Sequence, residues 1–486
     1  MQKISIDPIT RLEGHGKIEI FLNDKGAVEN AYLQIPELRG FEKFCEGRPV
    51  EEMPRITTRI CGVCPGAHHL ASTKAVDAVY HIDPPSAAKK LRELFYCAHM
   101  IHSHIAHFYA LAAPDFVLGP TSAPDQRNIL GVVGKVGPDI GLSVIKHRAY
   151  AQDIQALIGG KATHPVCGLP GGISRAISEE ERKDIEAKAE SLIEFAKFSL
   201  KLFNDVVLAN KEYLDLIIGD VYTMKTYYMG TIDQNNKVNF YDGDIRVVAP
   251  DGKEAARFKP ADYLEYIGEH TEPWSYLKFP FLKKVGWNGL VDGEKSGVYR
   301  VNSLARLNAA DGMATPLAQA EYEKFFSTLG GKPVHATLAF HWARLVELMY
   351  AAERLLELSR DEEITSPEVR TLPSQIPTEG VGVVEAPRGT LIHHYQTDEK
   401  GMLRKANLIV ATCQNNPAMN ISVCRAAQKL IKSGKTASEG LLNMVEMAFR
   451  AYDPCMACAT HCLPGQMPLH LIIYDFQGNT LEEYRR

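Results

Sequence analysis

Two short segments at opposite ends of the chain carry the same kind of chemistry. The first reads Arg59-Ile-Cys61-Gly-Val-Cys64-Pro-Gly-Ala-His68-His69, the second Asp453-Pro-Cys455-Met-Ala-Cys458-Ala-Thr-His461. Two residues between thiols let both sulfurs of a pair point at one ion from a single tight turn. Thiolates are soft ligands, suited to zinc, copper(I), iron–sulfur and nickel centres. One such pair is weak evidence; two pairs, each trailed by a histidine, can fill a four-sulfur site. A structural zinc ribbon places its pairs roughly 15–20 residues apart. Here most of the chain lies between Cys64 and Cys455. The spacing predicts an interior site where both ends of the fold converge, holding either a zinc staple or a reactive metal.

Such a site needs elements that carry residues 61–69 and 453–461 to one place. Lys17–Leu22 alternates, with Ile18, Ile20 and Leu22 on one face; Asn23-Asp-Lys-Gly26 is a turn cluster, and Ala27–Ile35 returns as a second strand. Beyond Asp83-Pro84-Pro85 the apolar residues Leu91, Leu94, Phe95, Ala98, Ile101, Ile105, Phe108 and Ala112 recur at helical spacings. A second long helix, or two consecutive ones, starts at Ser178, which has capping-box spacing to Glu181, and ends at Gly219. From about 221 to 299 the text is rich in Tyr, Gly, Asp and Pro, and predicts a small β insertion with strands at Lys237–Tyr241 and Ile245–Val248. Helices are expected at Pro316–Leu329, Ala336–Leu358, Ala418–Ile431 and Glu439–Ala451, and extended chain at Val381–Tyr395 and Ala406–Thr412. The fold class is therefore mainly α with β pieces: a helical core with an N-terminal β hairpin and a small β insertion, undivided by any Pro/Ser/Gly linker.

The 54 basic and 59 acidic residues leave a net charge of −5, so nucleic acid is not an expected partner. At 45% hydrophobic and 23% charged, the chain has the composition of a folded globular protein rather than a disordered or coiled-coil one. No apolar run reaches the roughly 18 residues of a membrane span. The start, Met1-Gln-Lys-Ile-Ser-Ile-Asp7, has no signal-peptide core, and a cytoplasmic location is expected. Ten cysteines are too few for a disulfide scaffold at this length; Cys45, Cys97, Cys167, Cys413 and Cys424 read as core thiols. With no further cysteine cluster, an iron–sulfur centre within this chain is not expected, and electrons would leave through a partner. His99, His102, His104 and His107 crowd one predicted helix without all sharing a face, and read as polar residues packed near a cofactor or partner.

From Asp7 to the C-terminus the sequence resembles the large, catalytic subunit of nickel–iron hydrogenases. It is most similar to the soluble multi-subunit branch, and within it to enzymes linked to heterodisulfide reductase or methyl-viologen reduction. The matching motifs are Asp7-Pro-Ile-Thr-Arg11-Leu-Glu13-Gly-His15, Arg39-Gly-Phe-Glu42, both cysteine clusters, His164-Pro165, Pro170-Gly-Gly172 and Glu385-Ala-Pro387-Arg388-Gly389. The resemblance implies that family's helical large-subunit core. It also implies a dinuclear centre in which Cys61 and Cys455 are terminal on nickel, and Cys64 and Cys458 bridge nickel to an iron carrying carbon monoxide and two cyanides. The implied reaction is reversible heterolytic cleavage of dihydrogen. Electrons would pass to an iron–sulfur small subunit, then to further subunits of heterodisulfide-reductase type.

The same resemblance assigns roles to single residues. Arg388, following Pro387, would lie over the open metal position, held by Asp115 and Asp453. Glu13 would take a proton from Cys455. Thr412 would hydrogen-bond a cyanide, in a segment that departs from better-known members at Cys413 and Gln414. Glu42 and His461 would hold a further ion, usually magnesium and sometimes iron. The catalytic core would span 1–461, and 462–486 would be a tail cut off by a maturation protease; the alternation of Leu469, Leu471 and Ile473 offers a last core strand instead. Two other classes compete. A metal-free electron-transfer or quinone-binding subunit of the complex I type would lack the thiolates, and a zinc-stapled scaffold would hold zinc alone.

Overall fold

The computed structural model describes residues 2–275, 277–432, 437–460, 470–474 and 480–485. Strands β1 (Gln2–Ile6), β2 (Lys17–Leu22) and β3 (Val28–Gln34) pair antiparallel in that order. Ile18, Ile20, Ala31 and Leu33 are buried, as the alternation requires. The β2–β3 hairpin stands where the sequence predicts it, and β1 adds a third strand to it.

Helix α1 (Pro65–Val79) starts directly after Cys64, with Pro65 in the first turn, where its missing N–H goes unused. It is buried nearly all round, so it has no amphipathic stripe for periodicity to find. Helix α2 (Ser86–Ala106) runs on through a π-helical turn, His107–Ala112, and a short helix, Ala113–Val117. The hairpin of α3 (Ile129–Val136) and α4 (Pro138–Gly159) folds back so that α4 packs along α2. Helix α5 (Glu179–Phe203) opens on the predicted capping box: Ser178 Oγ accepts the Glu181 N–H at 3.2 Å, and the Glu181 carboxylate accepts the Ser178 N–H at 2.8 Å. A π turn at Asn204–Leu208 separates it from α6 (Lys211–Ile218), so the choice left open by the pattern falls to consecutive helices ending before Gly219.

Strands β4 (Tyr227–Ile232), β5 (Asp244–Val248), β6 (Glu254–Phe258) and β9 (Tyr299–Arg300) form a sheet in the order β9-β4-β5-β6. Strands β7 (Ile267–Thr271) and β8 (Lys278–Leu282) form a separate pair. The expected strand at Lys237–Tyr241 is absent: only Val238 bridges to Ile232. The Asp233 carboxylate accepts the N–H groups of Asn235 and Lys237, each at 2.8 Å, and turns the chain there.

Helices α7 (Ser303–Ala309), α8 (Pro316–Thr328) and α9 (Phe340–Ser359) follow, and α9 packs on both α2 and α5. The predicted extended segment at 381–395 is broken by a turn into β10 (Glu379–Ala386) and β11 (Gly389–Thr397), and β12 (Leu403–Ile409) pairs with β11. Strand β10 lies directly on α1: a Cβ at Gly382 would come within 2.1 Å of the Ala71 carbonyl oxygen. Helix α10 (Ala411–Leu430) begins well before the expected Ala418 and carries Pro417 in its interior. Thr412 thus sits in a first helical turn rather than in extended chain. Pro417 reads as a boundary, yet its buried surroundings hold the helix across it. Helix α11 (Glu439–Arg450) leads to the second cysteine segment, and the tail forms a hairpin of β13 (His470–Tyr474) and β14 (Thr480–Arg485). Most of the buried apolar residues from Ile6 to Ala459 make one cluster, and all four motif cysteines lie inside it. Among the described residues no helix is long and apolar enough to cross a membrane.

Candidate metal centre

The turn before α1 and the turn after α11 meet in the core. Cys61 Sγ lies 3.1 Å from Cys455 Sγ, Cys64 Sγ lies 3.3 Å from Cys458 Sγ, and Cys455 and Cys458 are 2.9 Å apart. All four sulfurs fall within 4.8 Å of one another and are buried. Cys61 Sγ also accepts the N–H groups of Val63 at 3.2 Å and Cys64 at 3.3 Å. Burial works against charge on Cys61, but hydrogen bonds from the other three thiols, together with the positive Arg388, hold its pKa well below the ordinary thiol value. Burial and the neighbouring sulfurs push Cys455 and Cys458 well above it. Four buried thiols that cannot all ionise side by side are the donor set a soft cation relieves.

Glu13 is brought to this quartet by the N-terminal segment. Its carbonyl oxygen accepts the Met456 N–H at 3.0 Å, and its Oε2 accepts the Ala457 N–H at 3.1 Å and the Cys455 thiol at 3.0 Å. Burial, reinforced by the charge on Cys61, raises its pKa above the usual carboxylate value. Arg388 stands at the turn between β10 and β11. Its Nε donates to the Asp453 carbonyl oxygen at 2.7 Å and its Nη2 to Asp453 Oδ1 at 3.1 Å. Both side chains are buried, and among the described residues Arg388 Nη1 and Asp453 Oδ2 have no hydrogen-bond partner. Burial disfavours the guanidinium charge, yet Asp453 and the cysteine sulfurs outweigh it and lift the pKa well above the usual arginine value. Asp453 adopts φ 53°, in the left-handed region that Asp tolerates better than most residues. Gly389 follows at φ 128°, and a Cβ there would sit 2.2 Å from Val301 Cγ2. The turn that aims Arg388 therefore requires glycine.

Of the two aspartates expected to hold Arg388, only Asp453 does so. Asp115 Oδ1 bonds Arg11 at 2.5 Å and Asn443 at 3.0 Å, and its Oδ2 bonds Arg450 at 2.9 Å. Burial opposes its ionisation, but Arg450 and Arg11 hold its pKa below the ordinary value. It pins the Arg11 loop to α11. Thr412 Oγ1 accepts the Cys455 N–H at 3.1 Å, and Pro387 is buried beside Arg388. Glu42 Oε1 accepts the Leu408 N–H at 2.7 Å and lies 3.6 Å from Lys278 Nζ, apart from the sulfurs; burial raises its pKa. His461 lies outside the described residues.

Three supporting groups carry no role in the sequence reading. His68 Nε2 lies 3.4 Å from Cys458 Sγ, its Nδ1 is 3.1 Å from His393 Nε2, and His393 Nδ1 is 2.7 Å from the Tyr395 hydroxyl. The proximity of His68 to Cys64 was the available signal; residues 393 and 395 had none. Glu385 accepts from Thr231 and Thr390 on one oxygen and from Arg306 at 2.8 Å on the other, while Arg306 also grips Glu347 with two nitrogens. This fully buried lock braces the hairpin that presents Arg388. Arg344, buried on α9, donates to the Ala451 carbonyl oxygen at 3.1 Å; burial lowers its pKa to about 10 while the nearby Asp453 opposes that fall. It is a second guanidinium beside the centre.

Comparison with known proteins agrees with this geometry. The family described as nickel-dependent hydrogenase matches residues 39–125 and 231–461, and a HoxL-like family matches residues 3–38. The chain is similar to an iron-sulfur subunit of the F420-non-reducing hydrogenase of Archaeoglobus profundus, 51% identical over 485 residues and 100% of each chain. It is also similar to the beta subunit of the NAD-reducing hydrogenase HoxS of Cupriavidus necator, 38% identical over 501 residues and 100% of each chain. A crystal structure of an NAD+-reducing [NiFe]-hydrogenase in the H2-reduced state superposes with a TM-score of 0.88, at 37% identity over 95% of this chain and 100% of that one. With four converged thiols under a buried guanidinium and near-full-length likeness to hydrogenases, the chain belongs to the nickel-dependent hydrogenase family, as its catalytic large subunit.

Proposed function

We propose that the four cysteines hold a nickel–iron pair: Cys61 and Cys455 would be ligands of nickel, and Cys64 and Cys458 would serve nickel and an iron that would carry carbon monoxide and two cyanides. The observation that carries this reading is the convergence of four buried sulfurs within 4.8 Å, drawn from both ends of the chain. Neither a zinc ribbon nor a metal-free quinone subunit calls for a carboxylate and a buried arginine at such a quartet. When bound, the pair supplies the Lewis-acid and redox chemistry for reversible heterolytic cleavage of dihydrogen.

The chain's own residues handle protons and charge. Glu13, 3.0 Å from the Cys455 sulfur and with a raised pKa, takes a proton from that thiol and returns it in the reverse direction. Arg388 is a fixed cation: arginine rarely gives up its proton, so it polarises dihydrogen rather than acting as a base. Thr412 accepts the Cys455 N–H, so its own hydroxyl hydrogen would be available to hold a cyanide. Asp453 positions Arg388, and Asp115 positions the Glu13 segment through Arg11. Glu42 offers the hard oxygen donor that magnesium prefers, with His461 as a second ligand or as a reason to favour iron.

Electrons leave through an iron–sulfur small subunit, then through further subunits of heterodisulfide-reductase type. In support, the cysteine quartet is the only gathering of three or more His, Cys, Asp or Glu donors among the described residues. A maturation protease removes residues 462–486; the family match that ends at residue 461 supports this boundary. Replacing Cys61 or Cys455 by Ser tests the central claim. Nickel retention and dihydrogen-dependent dye reduction should both be lost, and full activity in either variant would refute the assignment.

A further inference from the structure

Helices α2 and α4 run antiparallel, and the seam between them begins beside the metal centre. Phe95 abuts Gly159, where a Cβ would meet its ring at 2.8 Å. Four residues further along α2, and four back along α4, His99 Nδ1 pairs with Gln155 Oε1 at 3.1 Å. Continuing that register places His102, and then Arg148, along the same seam toward the π-helical turn. At the inner end His99 rests on Gly66, two residues after Cys64; a Cβ at Gly66 would lie 2.9 Å from the imidazole. At the outer end Arg148 is only half-buried.

The polar atoms along this seam are unusual. Gln155 donates its amide to the Ala151 carbonyl at 3.2 Å, so its Oε1 faces His99 and fixes the proton on His99 Nδ1. His99 Nε2 then carries a bare lone pair. That atom, both ring nitrogens of His102 and Nε of Arg148 are buried without a partner among the described residues. His99 is 1% exposed and His102 9%. Each unmet polar group costs about 1–3 kcal/mol if left dry, and a row of them is the setting in which internal water is held. Burial lowers the pKa of His99 to about 4 and of His102 to about 3, so both are neutral at working pH, each with one donor and one acceptor. Neutral imidazoles of this kind order and relay protons without storing charge.

We propose that His99, His102 and Arg148 line a file of internal waters that conducts protons between the metal pocket and solvent, as an exit parallel to Glu13. The proposal rests on the hydrogenase reading above. Each hop breaks one O–H or N–H bond and forms the next; one proton enters at the His99 end, one leaves to solvent at Arg148, and no electron moves. His102 is the decisive residue, because it is buried, lies between the other two and, among the described residues, has no hydrogen-bond partner for either ring nitrogen.

The experiment uses the assembled, metal-loaded enzyme and follows exchange of deuterium gas with water protons. Comparing E13Q with the unsubstituted enzyme judges the Glu13 reading; comparing E13Q/H102L with E13Q judges the seam, whatever the first result. The double variant should exchange roughly tenfold more slowly than E13Q, with unchanged nickel content and unchanged infrared bands of the iron ligands. E13Q/H102Q, which restores a donor and an acceptor, should recover most of the loss. Equal rates in E13Q and E13Q/H102L would overturn the proposal. A high-resolution structure of the unsubstituted holoenzyme decides independently of variant folding: ordered waters joining His99 Nε2 to His102 support the route, and a dry seam refutes it.

Discussion

Arg388 is held by two hydrogen bonds to one residue, Asp453, through its backbone oxygen and its carboxylate. A lysine keeps the charge but cannot reproduce that fork. R388K is expected to retain nickel and to lower dihydrogen turnover about 10²–10³-fold, the scale of removing one fixed charge-stabilising group; near-normal turnover would place the arginine outside the chemistry. The motif made Arg388 and its neighbour Asp453 legible from sequence. Asp115 was picked out only by the resemblance, as a holder of Arg388; its actual partners Arg11 and Arg450 were not legible, because they lie 104 and 335 positions away along the chain. Thr412 was picked by its motif, yet what its oxygen does depends on Cys455, which only folding brings within 3.1 Å.

At the scale of elements, the centre depends on how closely α1, β10 and the Arg11 loop can approach. Gly382→Ala would set a methyl 2.1 Å from the Ala71 carbonyl and force α1, with Cys64 at its start, away from β10. A loss of about 1–3 kcal/mol is expected from such overpacking, seen as a lower thermal midpoint and weaker nickel retention; an unchanged midpoint would mean the helix yields freely. Asp115→Asn would leave the buried Arg450 and the partly buried Arg11 short of charge, at a cost of about 3–5 kcal/mol. The sign of its pH dependence follows from the folded pKa lying below the unfolded one. The stabilisation is fully present above the unfolded value of about 4 and is lost as pH falls through the folded value beneath it. Denaturant unfolding at neutral pH should therefore separate D115N from the unsubstituted protein, and the gap should narrow on acidification below about pH 4. A gap independent of pH would contradict this account.

For the whole molecule, the proposed removal of residues 462–486 can be read from the mass of the mature chain. Residues beyond His461 include the hairpin of β13 and β14, whereas Cys455 and Cys458 are already buried in the core. The expected outcome is an intact mass for the nickel-loaded enzyme that corresponds to a chain ending at His461; an active chain still ending at Arg486 would refute processing. The partner requirement is tested at the same scale. The processed, metal-loaded large subunit, purified alone, should fail to reduce viologen dyes from dihydrogen, and should regain this on adding its iron–sulfur partner.

Chemistry encoded in short, rigid spacing was readable from the sequence alone. The Cys-x-x-Cys pairs, the capping box at Ser178 and the β2–β3 hairpin are local devices whose geometry follows from a few adjacent residues. Glu13 and Arg388 were picked out by the family motifs that contain them, not by spacing or periodicity. The tertiary structure alone decided what those residues touch. Helix α1 lacks an amphipathic stripe because it is buried all round, so no periodicity announces it. The Arg306–Glu347–Glu385 lock, the His68–His393–Tyr395 chain and the α2–α4 seam join residues from elements far apart in sequence. Packing brings such polar groups together because, once buried, each must find a partner in the fold or in water; where those partners lie depends on the topology, which no single window of sequence contains.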